Sequence, residues 1–442
     1  MKMKIQQSVL LFAIVSLLNI SCKNENNPTT SEGDLKNTEK FSSEVAVKWI
    51  NVQLDMLRVP LATGTGTQAA ERAQAYCGIA LYEAVVKGMP KYRSLEGQLT
   101  NFPILPSIEN DKVYHWAASA NAALAFMNRQ LFSTASVINK AAMDALENSL
   151  QAQYAAEVDD ATLQRSIFFG KLVAASITYW AAGDGSEIVN PAYIPPSGPG
   201  LWVPTAPTPP VNAYAGQRRL LVPDVAGGME PSPPPAYSTD PASIFYSIVK
   251  DVYDKSRELT PDQKAMAIYH RDAPDYPDDG HFVAVLSQVL SKAGADLERA
   301  AEAFVKTGIG LHDAVVICFN KKYIVNLVRP ITYIRDVMGY TTWNPLIPTP
   351  NHPEFPPAHA VNSATVAWML TSVFSDQFSF KLDTYNYQGL PARYYSSFKA
   401  MSIEMSNAGV FEGIQYQASC DKGIWLGEKI GQNILSKVKF LK

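Results

Sequence analysis

The chain has 442 residues and a formal net charge of −3; 47% of its residues are hydrophobic and 18% are charged. This composition is typical of an ordinary globular protein, and the length allows a large core or two domains. The small net charge gives no reason to expect nucleic acid or an acidic membrane surface as a partner, so any anion site has to be formed by local residues.

The N-terminus has the pattern of a targeting segment. A positively charged start precedes the apolar stretch VLLFAIVSLL, and Ser21-Cys22 follows, which resembles a bacterial lipoprotein cleavage and lipidation site. An apolar run this short is typical of a signal peptide rather than of a membrane span. We predict a lipoprotein signal peptide over 1–22 with Cys22 as the lipidated residue, and a flexible polar tether over 23–42.

This interpretation predicts a protein of the bacterial cell envelope, periplasmic or facing the outer membrane, that contacts the membrane only through its lipid anchor. A plain secretory signal without lipidation remains the alternative. No later stretch contains 18 continuous apolar residues, so we expect the body that follows the tether to be soluble.

From residue 43 onward, apolar residues recur mostly at helical spacing. Examples are SEVAVKWINVQLDMLR (43–58), AAERAQAYCGIALYEAVVKG (69–88) and DLERAAEAFVKTGIGLHDAVVICFNKKYIVNLV (296–328). No fixed-period repeat and no clear strand alternation accompany them. We therefore predict an all-α fold of roughly ten to twelve helices.

The cysteines do not indicate a metal site. If Cys22 is lipidated, three thiols remain, of which Cys77 and Cys318 lie in apolar helical patterns and are predicted to be buried. No cysteine or histidine spacing typical of a metal site is present, so no metal is predicted.

A proline-rich segment over 185–240 interrupts the helical pattern. It contains NPAYIPPSGPGLWVPTAPTPPVNAY and EPSPPPAYS, which predict extended, irregular backbone. A linker between two domains is one interpretation. We favour an ordered strap across one helical domain, because the segment contains Trp202 and several tyrosines, which flexible linkers rarely do.

Two features of the C-terminal half indicate chemistry. Lys322 and Arg329 are seven residues apart, about two helical turns, so both would point the same way. Pro330 ends the run and biases Arg329 away from helix, so Arg329 is expected at a helix end, from which it can reach across a cavity. Lys322 and Arg329 are either two surface cations or, given their apolar surroundings, a buried pair that needs an anion. Further on, Pro356-Pro357 precedes His359 at a predicted helix start, where free N–H groups favour an anion.

Lys322-x6-Arg329-Pro330, followed by FPPAHA, resembles the first two motifs of the vanadium-dependent haloperoxidase and type 2 phosphatidic acid phosphatase superfamily, K-x6-R-P and P-S-G-H. Longer stretches such as PPSGPGLWVPT and GLHDAVVICFNKKYIVNLVRPITYIRD resemble its secreted bacterial haloperoxidase-like branch, over most of the chain from about residue 45. The resemblance implies one large helical-bundle domain over 43–442 that includes the proline-rich strap.

In that family a pocket holds a tetrahedral oxyanion, vanadate or phosphate. The resemblance implies that Lys322 and Arg329 clamp the oxyanion and that His359 acts as acid or base. The resemblance also assigns Ala358, which replaces the glycine of the second motif, to the oxyanion-binding positions.

The chain departs from the family pattern at three positions that matter. When Gly413-Ile414 is aligned with the third motif, S-R-x5-H, Gln415 replaces the histidine that is the vanadium ligand of haloperoxidases and the nucleophile of phosphatases. Gly409 replaces the arginine, and Pro357 replaces the serine of the second motif. Losing two charge-assisted hydrogen bonds of roughly 1.5–3 kcal/mol each would weaken the binding of a dianion by on the order of 10² to 10⁴.

The other histidines offer no obvious replacement. His352 lies close to the loop that delivers His359 and is a possible pocket residue. The remaining four are interpreted as ordinary core or surface residues: His115, His270, His281 and His312.

Three functions remain open on the sequence. The first is an envelope lipoprotein with a degraded oxyanion site, which binds vanadate or phosphate weakly and has little or no activity. The second is a phosphatase-type hydrolase of altered mechanism that uses Lys322, Arg329 and His359 on a phosphate ester. The third is a structural or partner-binding envelope protein. The sequence gives no indication of the oligomeric state.

Overall fold

The computed structural model describes residues 37–58, 70–271 and 280–442. This part of the chain is mainly helical and contains one small sheet, in which β1 (Phe380–Leu382) pairs antiparallel with β2 (Arg393–Tyr395). The helices are α1 (Glu44–Leu57), α2 (Ala70–Val85), α3 (Trp116–Leu131), α4 (Val137–Ala155), α5 (Asp160–Ala181), α6 (Ile244–Arg257), α7 (Pro261–Tyr269), α8 (Gly280–Ala293), α9 (Leu297–Val325), α10 (Pro330–Asp336), α11 (Ala358–Phe374), α12 (Phe398–Phe411) and α13 (Gln417–Lys437). The predicted all-α class is confirmed, with thirteen helices in the described residues.

The predicted signal peptide, with Cys22, and the tether up to residue 36 lie outside the described residues. The last residues of the predicted tether lie against the helical body. Thr38 donates from Oγ1 to the carbonyl of Val85 (3.2 Å), and the carbonyl of Phe41 accepts from the Leu297 amide (2.7 Å). Contacts with the body therefore begin before the boundary predicted at residue 43. Over the three described ranges, none of the helices combines the length and apolar character needed to cross a membrane.

The core is built around α9, which is buried almost continuously from Leu297 to Phe319. Helices α2 and α11 pack along it. Glycines allow the close approach of α2: a Cβ at Gly78 would lie 2.7 Å from the Phe304 carbonyl oxygen, and one at Gly308 would lie 2.6 Å from that of Gln74. Cys77 and Cys318 are buried free thiols, as predicted.

The proline-rich segment over 185–240 is an ordered strap, as predicted. Trp202 is 1% exposed, packs edge-on against Tyr323, and donates its backbone N–H to the Asn326 carbonyl (2.7 Å). Leu201 forms an isolated antiparallel bridge with Leu327. The strap is thus fixed to the stretch of chain between Lys322 and Arg329.

The helix that carries Lys322 was expected to run up to Arg329, and it ends earlier. The helix that carries Lys322 ends at Val325, and Asn326 caps it in the left-handed conformation (φ 49°, ψ 41°). Arg329 is the N-cap residue of the next helix, α10. The two cations therefore do not share one helix, and their proximity results from a turn in the chain that the strap holds in place.

Candidate functional site

The ammonium group of Lys322 lies in the core at the last turn of α9. The residue is fully buried, and its Nζ donates to the carbonyl oxygens of Pro353 (3.0 Å) and Glu354 (3.1 Å). A buried ammonium needs such partners, because water no longer solvates it. Lys322 thus binds the backbone of the loop that leads to α11.

Arg329 binds the same loop from the other side. Its Nε donates to the His352 carbonyl (2.9 Å), and its Nη1 donates to the Ile414 carbonyl (2.9 Å). Its Nη2 lies 3.1 Å from Nδ1 of His352, and the same Nδ1 lies 3.1 Å from the Pro353 carbonyl oxygen. Nδ1 accepts from the guanidinium in one tautomer and donates to the carbonyl in the other. His352, predicted as a possible pocket residue, is therefore placed in direct contact with Arg329.

Glu354 is a buried acid at this site that the sequence analysis did not single out. One carboxylate oxygen accepts from the Tyr416 amide (2.9 Å), and the other accepts from Oγ of Ser419 (2.9 Å). Burial raises the pKa of Glu354, whereas the Tyr416 amide and the charges of Arg329 and Lys322 act against that rise. The carboxylate thus lies at the start of α13, within the field of both cations.

Gln415 connects the cation to the acid. In the amide orientation that satisfies its neighbours, its oxygen accepts from Arg329 Nη1 (2.9 Å) and its nitrogen donates to Oε1 of Glu354 (2.7 Å). Its side chain also covers Gly409, where an added Cβ would lie 2.8 Å from Cγ of Gln415. Gln415 and Gly409, two of the positions that depart from the family's third motif, are therefore in contact with each other.

The predicted helix start at His359 is confirmed. Pro357 is the N-cap residue of α11, with an extended backbone (φ −63°, ψ 124°), and it has no N–H to donate. Ala358 and His359 occupy the first two helical positions and are half-buried. Burial lowers the pKa values of His270 and His281, and interaction with His359 adds a smaller contribution in the same direction.

The predicted site residues thus fall into two groups. Lys322, Arg329 and Gln415 form hydrogen bonds with the loop residues 352–354, which include His352. Pro357, Ala358 and His359 begin the following helix. Within the residues that the structure describes, no group of three or more His, Cys, Asp or Glu side chains is arranged to hold a metal ion.

Glu354 could have attracted attention in the sequence only as an acid in a proline-rich loop, five residues before His359. Its partners are 62 and 65 residues further along the chain, at Tyr416 and Ser419. No local spacing indicates such a contact.

Comparison with known proteins places this geometry in context. The family model of the VCPO second helical-bundle domain matches residues 302–441, which include every predicted oxyanion-site position. A search of curated protein sequences finds no match. Among solved structures, a bacterial vanadium-dependent iodoperoxidase is 27% identical with a TM-score of 0.81, over 91% of this chain and 98% of that one.

Two further structures share the fold at lower identity. The apo form of a bacterial vanadium-dependent chloroperoxidase is 14% identical with a TM-score of 0.68, over 91% of this chain and 100% of that one. A holo form of a bacterial vanadium-dependent chloroperoxidase is 12% identical with a TM-score of 0.60, over 92% and 95% of the two chains.

Proposed function

We propose that this chain, which has the fold of the vanadium haloperoxidase-like superfamily, carries an oxyanion site that no longer supports turnover. In this proposal vanadate or phosphate binds weakly or not at all. The protein acts in the cell envelope without halide oxidation or phosphate-ester hydrolysis of its own.

The proposal rests on one observation: both buried cations donate hydrogen bonds to carbonyl groups of the protein and lie beside a buried acid. Lys322 and Arg329 donate to four peptide carbonyls at 2.9–3.1 Å. The carboxylate of Glu354 lies beside them and receives hydrogen bonds from three donors in the satisfied orientation of Gln415. A carboxylate at this place repels a second anion.

The residues present do not fit vanadate. Gln415 offers an amide where an imidazole ligand is needed, and an amide can neither carry a positive charge nor attack phosphorus. Gly409 provides no cation, and the side chain of Gln415 fills the space above it.

Activity assays test the proposal directly. Purified mature protein is titrated with orthovanadate by calorimetry and assayed for iodide and bromide oxidation with hydrogen peroxide, and for hydrolysis of p-nitrophenyl phosphate. We expect no saturable vanadate binding at micromolar concentration and no turnover above the His359→Ala variant. Phosphatase turnover that His359→Ala abolishes would contradict the proposal and favour a hydrolase of altered mechanism, for which the half-buried His359 is the available acid or base.

The proposed location is the bacterial envelope, through lipidation of Cys22. The support is the charged start, the short apolar stretch and Ser21-Cys22. We expect full-length wild type to fractionate with membranes and to release into detergent, and Cys22→Ala to be recovered in the soluble fraction. If wild type and Cys22→Ala are equally soluble, the proposed lipid anchor at Cys22 is wrong.

A further inference from the structure

Two segments that are far apart in the sequence form one surface of the protein, away from the oxyanion site. Residues 86–98 follow α2, and residues 433–442 contain the last turn of α13 and the chain after it. The Arg93 amide donates to the Phe440 carbonyl (2.8 Å), and an isolated antiparallel bridge lies next to this bond. The side chains of both segments therefore share one surface.

This surface carries an excess of positive charge. The two segments together contain one acid, Glu96, and six exposed cations: Lys87, Lys91, Arg93, Lys437, Lys439 and Lys442. The whole chain has 38 Lys and Arg against 41 Asp and Glu, so the excess is local and the net charge does not reveal it. We call the surface formed by residues 86–98 and 433–442 the basic face.

Neighbouring acids offset only part of this charge. Glu302 is 8% exposed, pairs with Lys306 at 2.6 Å, and accepts from the hydroxyl of Tyr92 (2.8 Å). Burial raises the pKa of Glu298, whereas Lys91 acts against that rise, so this half-buried acid offsets part of the charge of Lys91. The other cations of the basic face stay available to an anionic surface.

The predicted tether meets the helical body beside the basic face. Thr38 donates from Oγ1 to the Val85 carbonyl (3.2 Å), and a Cβ at Gly88 would lie 2.6 Å from the same Oγ1. Because an extended chain spans at most about 3.6 Å per residue, a lipid on Cys22 keeps Thr38 within about 60 Å of the bilayer. The proposed anchor thus holds this side of the body near the membrane.

We propose that the basic face docks the protein onto a bilayer surface of anionic phospholipids, beside the lipid anchor. The inference rests on the envelope location proposed above. Each Lys or Arg near an anionic bilayer strengthens binding by about fivefold at low salt. Leu441, which is 57% exposed on the same face, adds an apolar contact with the interfacial region. Docking would give the tethered body one orientation on the membrane.

Vesicle binding tests the proposal on a protein that carries no lipid. Residues 23–442 are expressed without Cys22, so the result is independent of lipidation, and the charges of the tether are included. Loss of Lys2 and Lys4 changes the net charge from −3 to −5, and a protein of this charge is repelled by an anionic bilayer unless a local face binds it. Sedimentation compares phosphatidylcholine vesicles with vesicles that contain about 30% phosphatidylglycerol, at about 0.05 and 0.5 M salt.

We expect binding only to the vesicles with phosphatidylglycerol, and its loss at the higher salt concentration. The face variant is Lys87→Gln, Lys91→Gln and Lys437→Gln; the matched control is Lys140→Gln, Lys171→Gln and Lys264→Gln, three exposed cations on α4, α5 and α7. Both variants lose three positive charges. The face variant should lose on the order of 10- to 100-fold in affinity, and the control less than about threefold.

A local measurement on the wild-type sequence stands even if the face variant does not fold. Hydrogen exchange of the same protein is compared with and without the phosphatidylglycerol vesicles. We expect exchange to slow in peptides from residues 86–98 and 433–442 and to stay unchanged in peptides from α4. No preference for the anionic vesicles, an equal loss of affinity in both variants, or unchanged exchange in the basic face would overturn the proposal.

Discussion

Replacing Glu354 by alanine is expected to lower the free energy of unfolding by about 3–5 kcal/mol, the range seen when one partner of a buried charge cluster is removed. The change removes a buried carboxylate that interacts with the charges of Arg329 and Lys322. It also removes the acceptors of the Tyr416 amide and of the Ser419 hydroxyl. Urea unfolding at pH 8 measures the effect.

Two further variants separate charge from general damage. Glu230→Ala removes an acid that is 83% exposed and pairs with Lys321, and we expect it to change the free energy of unfolding by less than about 1 kcal/mol. Glu354→Gln keeps an acceptor oxygen for Tyr416, so its loss should be clearly smaller than that of Glu354→Ala. A Glu354→Ala variant as stable as Glu230→Ala would show that the carboxylate does not balance the cations.

The free energy of unfolding of Glu354→Gln is also expected to depend on pH differently from that of the wild type. Because burial raises the pKa of Glu354, the folded protein holds this proton at pH values where the unfolded chain has released it. The wild type therefore loses stability from this group as the pH rises above about 4.5 and through the raised pKa, whereas Glu354→Gln does not. As the pH rises above about 4.5 and through the raised pKa, the free energy of unfolding of Glu354→Gln should therefore increase relative to that of the wild type.

The sequence predicted more of the fold than of the site. Helical periodicity and motif spacing predicted the all-α class and the helix start at His359, and they left burial as one of two interpretations for Lys322 and Arg329, which are both buried. The same periodicity suggested a single helix for the two cations, which failed because Asn326 ends α9 in the left-handed conformation. A local pattern gives no information on where such a cap redirects the chain.

The missed residues share one physical property: their partners are distant in the chain. Glu354 meets Tyr416 and Ser419 only because α13 begins against the loop that precedes α11. His270 meets Glu404 across 134 residues. Trp202, in contrast, was informative as a large aromatic residue in a proline-rich segment, because such a side chain is seldom left in solvent.

Restoring the third motif should bring back oxyanion binding. We expect Gly409→Arg together with Gln415→His to raise the affinity for vanadate by about 10² to 10⁴, since the change returns a cation and an imidazole worth roughly 1.5–3 kcal/mol each. The two changes belong together. An arginine at Gly409 alone would press on Cγ of Gln415, because even its Cβ would lie 2.8 Å away. We therefore expect Gly409→Arg alone to lose stability with little gain in affinity.

Calorimetric titration with orthovanadate at pH 8 compares wild type, the single variants and the double variant, each checked by its unfolding curve. Ala182→Arg, at an exposed position after α5, controls for non-specific attraction of anions by an added charge. Adding Glu354→Gln to the double variant should raise the affinity again, because it removes the carboxylate that repels the anion. A folded double variant that binds vanadate no better than Ala182→Arg would show that the loop carbonyls, and not the lost third motif, keep Lys322 and Arg329 from the oxyanion.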